Sequence, residues 1–378
     1  MNKLVLLILL ILTASCSQTE QKKETKEIYA SKSLELSYAT GFDVEYYEGY
    51  KKVIVQKPFM NADNGLEYIL SDDPESLPQE LQSLKIIKTP IQSIVCTSTT
   101  HIPFLDYLGE TNSLVGFPTT DYISSEKMRE RIENGQVTEL GVDKEMNIER
   151  LVELNPDMVM GYSINGDLGQ FDKISQLGIS TVMNAEYLEE HPLGRSEWIK
   201  FVAAFYNKED RADSVFKVIE ENYRNYQKIV ARQNQRPTVL SGIVYGDTWY
   251  LPGGDNYAAK LIEDAGGDYL WSSDSTRGFL ELSFESVYEK ANEATFWIGV
   301  ASFETLESIK KADVRYANFS AFKTGEVYTN NWRKGAKGGS EFLELGYLRP
   351  DLILADLIKI FHPEVLPEHE LYFHKRLE

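Results

Sequence analysis

The chain has 378 residues, long enough for two lobes with separate cores. Hydrophobic residues make up 42% and aromatics 12%, a globular composition and not that of a disordered chain. The net charge of −19 argues against nucleic acid, since a phosphate-binding surface needs clustered Lys and Arg, and against broad adhesion to an anionic membrane.

Met1-Asn2-Lys3 is a short positive start. The apolar run Leu4 to Leu12 is nine residues long, too short to span a bilayer as a mature helix. Thr13-Ala14-Ser15-Cys16 follows, and small residues ahead of a Cys resemble a bacterial lipoprotein signal. That resemblance implies a signal peptide over 1–15, cleavage before Cys16 and lipid on Cys16. Residues 16–27 then read as a solvated tether. The expected location is periplasm-facing or cell-surface, lipid-anchored to a bacterial membrane, with Cys16 as the sole membrane contact. Cys96 is the only other cysteine, so no disulfide is expected. It sits in the apolar stretch Ile94-Val95-Cys96 and reads as a small core residue.

Residues 28–90 alternate loosely. Leu34 to Tyr38 and Lys52 to Gln56 read as strands of an N-terminal β extension, with turns at Asp63-Asn64-Gly65 and Asp72-Asp73-Pro74. From residue 91 to 194 the texture becomes α/β. Strands are expected at Ile94–Cys96, Leu114–Phe117, Met158–Met160 and Ser180–Met183. Helices are expected at His101–Leu108, Met128–Glu133, after Asn147, and at Phe171–Leu177. This alternation predicts a mostly parallel sheet. Residues 195–235 are helical in pattern. Trp198, Phe201, Val202 and Phe205 form one apolar stripe; Val215, Val218, Ile219, Tyr223 and Tyr226 form another. The stretch Glu209 to Asn234 lacks Gly and Pro and would be roughly 39 Å long at about 1.5 Å per residue. That length suits a helix bridging two lobes. Residues 236–378 restart the α/β pattern, with a strand at Thr238–Val244, a helix at Tyr257–Ala265 and a final helix within Phe342–Ile360, with Arg349-Pro350 marking its start or a kink.

Two stretches resemble each other. Asn147-Ile148-Glu149 opens one helix, break and buried strand; Ser283-Phe284-Glu285 opens the other. Each unit presents a Glu at a helix N-terminus, where the helix dipole alone favours a carboxylate by roughly 0.3–1 kcal/mol.

Several features come in a particular order: the lipoprotein signal, the Glu149 unit, the long helix, the Glu285 unit and a closing Arg349-Pro350-Asp351-Leu352. Over about residues 90 to 365 the chain thereby resembles the substrate-binding proteins of ABC importers for iron–siderophore complexes, haem and cobalamin, the class III periplasmic binding proteins. The resemblance implies two α/β lobes with mostly parallel sheets, joined by a single long rigid helix, with the ligand between them. It implies that Glu149 and Glu285 dock on the ABC permease. It also implies that Tyr250, Asn331 and Trp332 approach the ligand. The chain departs from the family in its β extension and in lacking a clear Arg in the first-lobe loops.

Ligands of α/β sheets lie beyond the C-terminal strand ends. This nominates Ser98, Thr99 and Tyr122 in the first lobe, and Tyr245, Trp249, Tyr250, Asn331, Trp332 and Arg333 in the second. The aromatics would give flat walls for a medium-sized, ring-bearing ligand, and Arg333 would face an anionic group. No catalytic residue, resident cofactor or metal site is expected. G-x-S-x-G, H-E-x-x-H and the P-loop sequence are absent. A zinc- or manganese-binding rival would need several converging ligands, and only His101 lies in a cleft loop; His362, His369 and His374 read as solvated in a Pro-broken tail. The expected product is a monomeric binding protein delivering an iron chelate or cobalamin to a permease. The alternative is a haem-binding or ligand-sensing surface lipoprotein without a permease.

Overall fold

The computed structural model describes residues 30–378 except Ser83 and Lys144. The signal peptide, Cys16 and the tether lie outside the described residues.

Lobe 1 is built on a five-stranded parallel sheet. Its order is Ser180–Met183, Met158–Gly161, Ile94–Cys96, Leu114–Phe117, Thr138–Glu139. Ile94–Cys96 and Met158–Gly161 are buried throughout, as continuous apolar runs covered on both faces should be. Cys96 is fully buried, and burial pushes its thiol far up, so it packs as a small hydrophobe.

Lobe 2 repeats the plan. Its sheet runs Asp268–Tyr269, Thr238–Ser241, Phe296–Ile298, Val327–Thr329, Lys375–Arg376, parallel except for the last strand. The strand expected over Thr238–Val244 is broken at Gly242. This residue takes φ +83°, and a Cβ there would run into the Tyr250 carbonyl. The chain therefore leaves the parallel sheet and enters an antiparallel one, formed by Ile243–Tyr245, Thr248–Pro252 and Phe279–Leu282.

The bridging segment is three helices, Pro192–Glu197, Ile199–Tyr206 and Glu209–Val230. Asn207 takes the left-handed conformation, φ 56°, and ends the second helix. The third has 22 residues and is roughly 33 Å long at about 1.5 Å per residue. It does span the lobes. Arg211 Nε donates to the Tyr107 carbonyl of lobe 1, and Tyr223 Oη donates to Asp264 of lobe 2. Val218, assigned to the apolar stripe, is exposed; Ile219 and Tyr223 carry the buried face.

The N-terminal extension is a five-stranded sheet, Lys32–Ser33, Phe42–Tyr47, Tyr50–Val55, Leu66–Ser71 and Lys85–Lys88 in that order. It packs on the bridging helices, where Phe42 meets Trp198 and Phe201, and on lobe 1, where Tyr68 Oη accepts from Met183 N at 3.0 Å. The strand expected at Leu34–Tyr38 does not form. The backbone N–H groups of Ser37, Tyr38 and Ala39 donate to Glu197 instead. Those of Thr40 and Gly41 donate to Glu189. Both carboxylates are buried and need donors, which outbid a sheet ladder here.

The histidines of the C-terminal tail are drawn inward and are not left in solvent. Asp356 is fully buried, and His369 Nε2 and His374 Nδ1 lie 2.8 and 3.0 Å from its oxygens. The N–H groups of Tyr372, Phe373 and His374 donate to the same carboxylate. Burial disfavours the charge, yet this ring of partners holds Asp356 well below the usual carboxylate range. His362 and His374 are buried. The final helix, Pro350–Phe361, starts at Arg349-Pro350, and a separate short helix, Glu341–Leu345, precedes it.

Candidate functional site

The loops after Leu114–Phe117 of lobe 1 and Val327–Thr329 of lobe 2 meet, Glu344 accepting from Ser124 N and Ser125 N. On lobe 1, Ser98 Oγ accepts from Thr100 N and caps the turn after Ile94–Cys96. Thr99 is half-buried and Tyr122 is 63% exposed. His101 is buried, and burial pushes its pKa down to about 3, so the ring is neutral. Glu186 Oε1 lies 3.8 Å from His101 Nε2 and takes the Thr100 hydroxyl. Burial raises the Glu186 pKa in spite of that bond. Sequence reasoning missed Glu186; its position just past the strand Ser180–Met183 was the available signal.

On lobe 2, strand alternation sorts the aromatics. Tyr245 is 81% and Tyr250 37% exposed. Trp249, between them in register, points the other way. It is fully buried, with ring centroids 5.6 Å from Trp297 and from Phe319 and 5.7 Å from Tyr316. Its Nε1 donates to the Ser241 carbonyl at 3.2 Å. Trp249 is thus a core residue, a correction that follows from the side-chain period of two. Asn331 is half-buried, and its Oδ1 is enclosed without a partner. Trp332 is 51% exposed, with Lys375 Nζ 3.7 Å above its ring. Arg333 Nε donates to Glu341 at 2.7 Å, and its guanidinium lies 4.4 Å from the Tyr372 ring centroid. That pairing partly spends the charge the sequence assigned to an anionic ligand group.

Trp332 and Arg333 line an interlobe groove of about 1060 Å³ with Tyr107, Lys127, Arg129 and Tyr372. Ser98, Thr99, Tyr122, Tyr245, Trp249, Tyr250 and Asn331 do not line this groove. Among the described residues, no group of three or more His, Cys, Asp or Glu could hold a metal ion.

The two glutamate helices form as expected. Asn147 Oδ1 accepts from Arg150 N ahead of Ile148–Leu154, and Ser283 Oγ accepts from Ser286 N ahead of Phe284–Ala291. Glu149 and Glu285 stand exposed in the first turns. Glu285 pairs with Arg315 at 2.9 Å, and Arg315 pairs with Asp313 at 2.7 Å. Among the described residues Glu149 has no ion pair.

The family profile described as "Periplasmic binding protein" matches residues 94–331. The chain belongs to the periplasmic binding protein family. The matched span starts at the first strand of lobe 1 and ends in the loop after Val327–Thr329, so this periplasmic binding protein carries its β extension outside the family core. An uncharacterized lipoprotein of Methanocaldococcus jannaschii is 27% identical over 370 residues, covering 93% of this chain and 86% of its own length. A second uncharacterized lipoprotein of that organism is 29% identical over 315 residues, covering 80% and 77%. In three dimensions the chain is similar to a possible iron-binding (periplasmic solute-binding) protein from Staphylococcus epidermidis. That match has a TM-score of 0.57 at 16% identity, over 72% of this chain and 100% of the other. A periplasmic heme-binding protein from Pseudomonas aeruginosa gives 0.55 at 17% identity, over 72% and 94%. The expected fold of two α/β lobes with parallel sheets, the class III arrangement, is the fold found. No helix among the described residues is long and apolar enough to cross a membrane.

Proposed function

We propose that this periplasmic binding protein is the solute-binding lipoprotein of an ABC importer. It takes an iron(III)–siderophore-type complex or cobalamin between its lobes and delivers it to the permease. One observation carries this reading: Trp332 and Arg333 of lobe 2 and Lys127 and Arg129 of lobe 1 line one groove between the lobes. This reading calls for no catalytic constellation. Permease docking falls to Glu149 and Glu285, both exposed at helix N-termini. Anchoring falls to lipid on Cys16, in keeping with relatives that are called lipoproteins. Haem is the second reading, supported by the exposed phenols of Tyr245 and Tyr250, since Tyr is an established haem-iron ligand.

Intrinsic fluorescence separates these ligands. Trp198, Trp249 and Trp297 are fully buried and Trp271 nearly so, leaving Trp332 as the exposed reporter. Titration with a ferric siderophore, haem and cobalamin should quench with only one of the three, and Trp332→Ala should remove most of that quenching. Lack of binding by all three would overturn the proposal.

A further inference from the structure

The interlobe space has two edges, and they are closed by different means. The sheet orders place Leu114–Phe117 of lobe 1 and Val327–Thr329 of lobe 2 towards one edge. Ser180–Met183 and Asp268–Tyr269 form the other. At the first edge, residues 332–344 reach from lobe 2 onto the loop after Leu114–Phe117. Glu344 is buried, and its two oxygens accept from Ser124 N at 2.6 Å and Ser125 N at 2.8 Å. Two glycines let the backbones meet. A Cβ on Gly335 would sit 2.6 Å from Ser124 Cα, and one on Gly339 would run into the Tyr122 carbonyl. At the second edge the cross-lobe contact is Arg277 Nε to Glu190 at 2.8 Å, with side chains 72% and 46% exposed.

Parting these edges has unequal consequences. At the first, two buried N–H groups and a buried carboxylate lose their partners together, which is the expensive case. At the second, an exposed ion pair exchanges its partner for water at little cost. Behind both edges the bridging helix Pro192–Glu197 forms a buried seam with lobe 2. Ser196 Oγ donates to the Leu348 carbonyl at 2.7 Å, and the Arg195 guanidinium lies 3.5 Å from the Tyr257 ring centroid and 4.4 Å from that of Tyr347.

We propose that residues 332–344 form a fixed clasp between the lobes, and that the edge carrying Glu190 and Arg277 is the side that opens. The lobes then turn about the clasp and the Arg195 seam, and Glu344 is the positioning residue that sets the interlobe spacing. The inference rests on the solute-binding reading for its ligand, but its mechanics need none. A test without ligand therefore fails independently of that reading.

Spin labels on the full-length protein provide it. One pair is placed at Lys127 and Lys337, exposed on either side of the clasp; another at Ile164 and Ser275, exposed on loops nearer the second edge. Cys96 is buried and should not label. The expected result is a narrow distance distribution for the first pair and a broader one for the second. Gly339→Ala, and separately Glu344→Gln, should shift the Lys127/Lys337 distances longer while circular dichroism and cooperative melting stay native. Equal widths at the two edges would overturn the proposal. So would a Lys127/Lys337 distribution left narrow and unshifted by either folded variant.

Discussion

The two lobes share a plan and finish it differently. Past its strands lobe 1 carries small polar side chains, Ser98 and Thr99, beside the buried pair His101 and Glu186. Lobe 2 carries Tyr245, Tyr250 and Trp332, all exposed. The glutamate units differ in the same way: Glu285 is tied to Arg315, whereas Glu149 has no ion pair among the described residues. A repeated helix, turn and strand therefore fixes where a side chain stands and leaves open what it meets. The lesson is that each lobe's chemistry comes from its loops, while its placement comes from its sheet.

The sharpest break of that comparison is to remove both glutamates. Glu149→Ala with Glu285→Ala should abolish uptake into cells and leave the ligand dissociation constant unchanged. Uptake at the wild-type rate would end the docking role.

The aromatic asymmetry comes next. Trp249→Ala should cost lobe 2 about 3–5 kcal/mol, the range for deleting a packed core aromatic, read from denaturant unfolding. Trp332→Ala should leave stability nearly unchanged and weaken ligand binding by roughly tenfold, about 1.4 kcal/mol, read by titration. If the two variants exchanged phenotypes, the inward and outward assignment along lobe 2 would be wrong.

Acid and base should act on the lobes with opposite sign. Burial lowers His101 from 6.5 to about 3, so its contribution is present above 6.5 and lost as pH falls through about 3. Burial, aided by Asp106, raises Glu344 from 4.5 to about 7 against the lowering effect of the Ser124 and Ser125 amides. Its contribution is complete below 4.5 and is lost as pH rises through about 7. Melting temperatures across pH 3 to 8 should therefore lose the alkaline decline in Glu344→Gln and keep the acid decline. The reverse pattern would refute the assignment.

The smallest effect concerns Arg315. Its replacement by Ala releases Glu285 from an exposed, solvent-screened pair of little net worth. Uptake should change by no more than a few-fold. A larger loss would show that Arg315 itself meets the permease.

Particular residues show what was readable. The apolar runs at Ile94–Cys96 and Met158–Gly161 and the caps at Asn147 and Ser283 carry local signals, and each element formed where its pattern placed it. Tyr250 and Trp249 were also separable, because adjacent strand residues face opposite ways. The failures lie where a distant partner decides. Leu34–Tyr38 has strand-like alternation, but its next N–H groups meet Glu197, some 160 positions away. His369 and His374 sit in a Pro-broken stretch, yet Asp356 draws both inward. Neither Glu189 nor Glu344 could be picked from among 58 acidic residues, because a buried carboxylate looks like any other until its donors are in place.

The sequence by itself determined the two α/β lobes, the helix between them and a glutamate at the head of one helix in each. Those follow from periodicity and capping, which act over a few residues. Only the tertiary structure decided which aromatics face the groove, which carboxylates are buried, and that one edge is clasped while the other is closed by an exposed pair. Those outcomes depend on long-range burial, which gives each polar group its partner or leaves it to water.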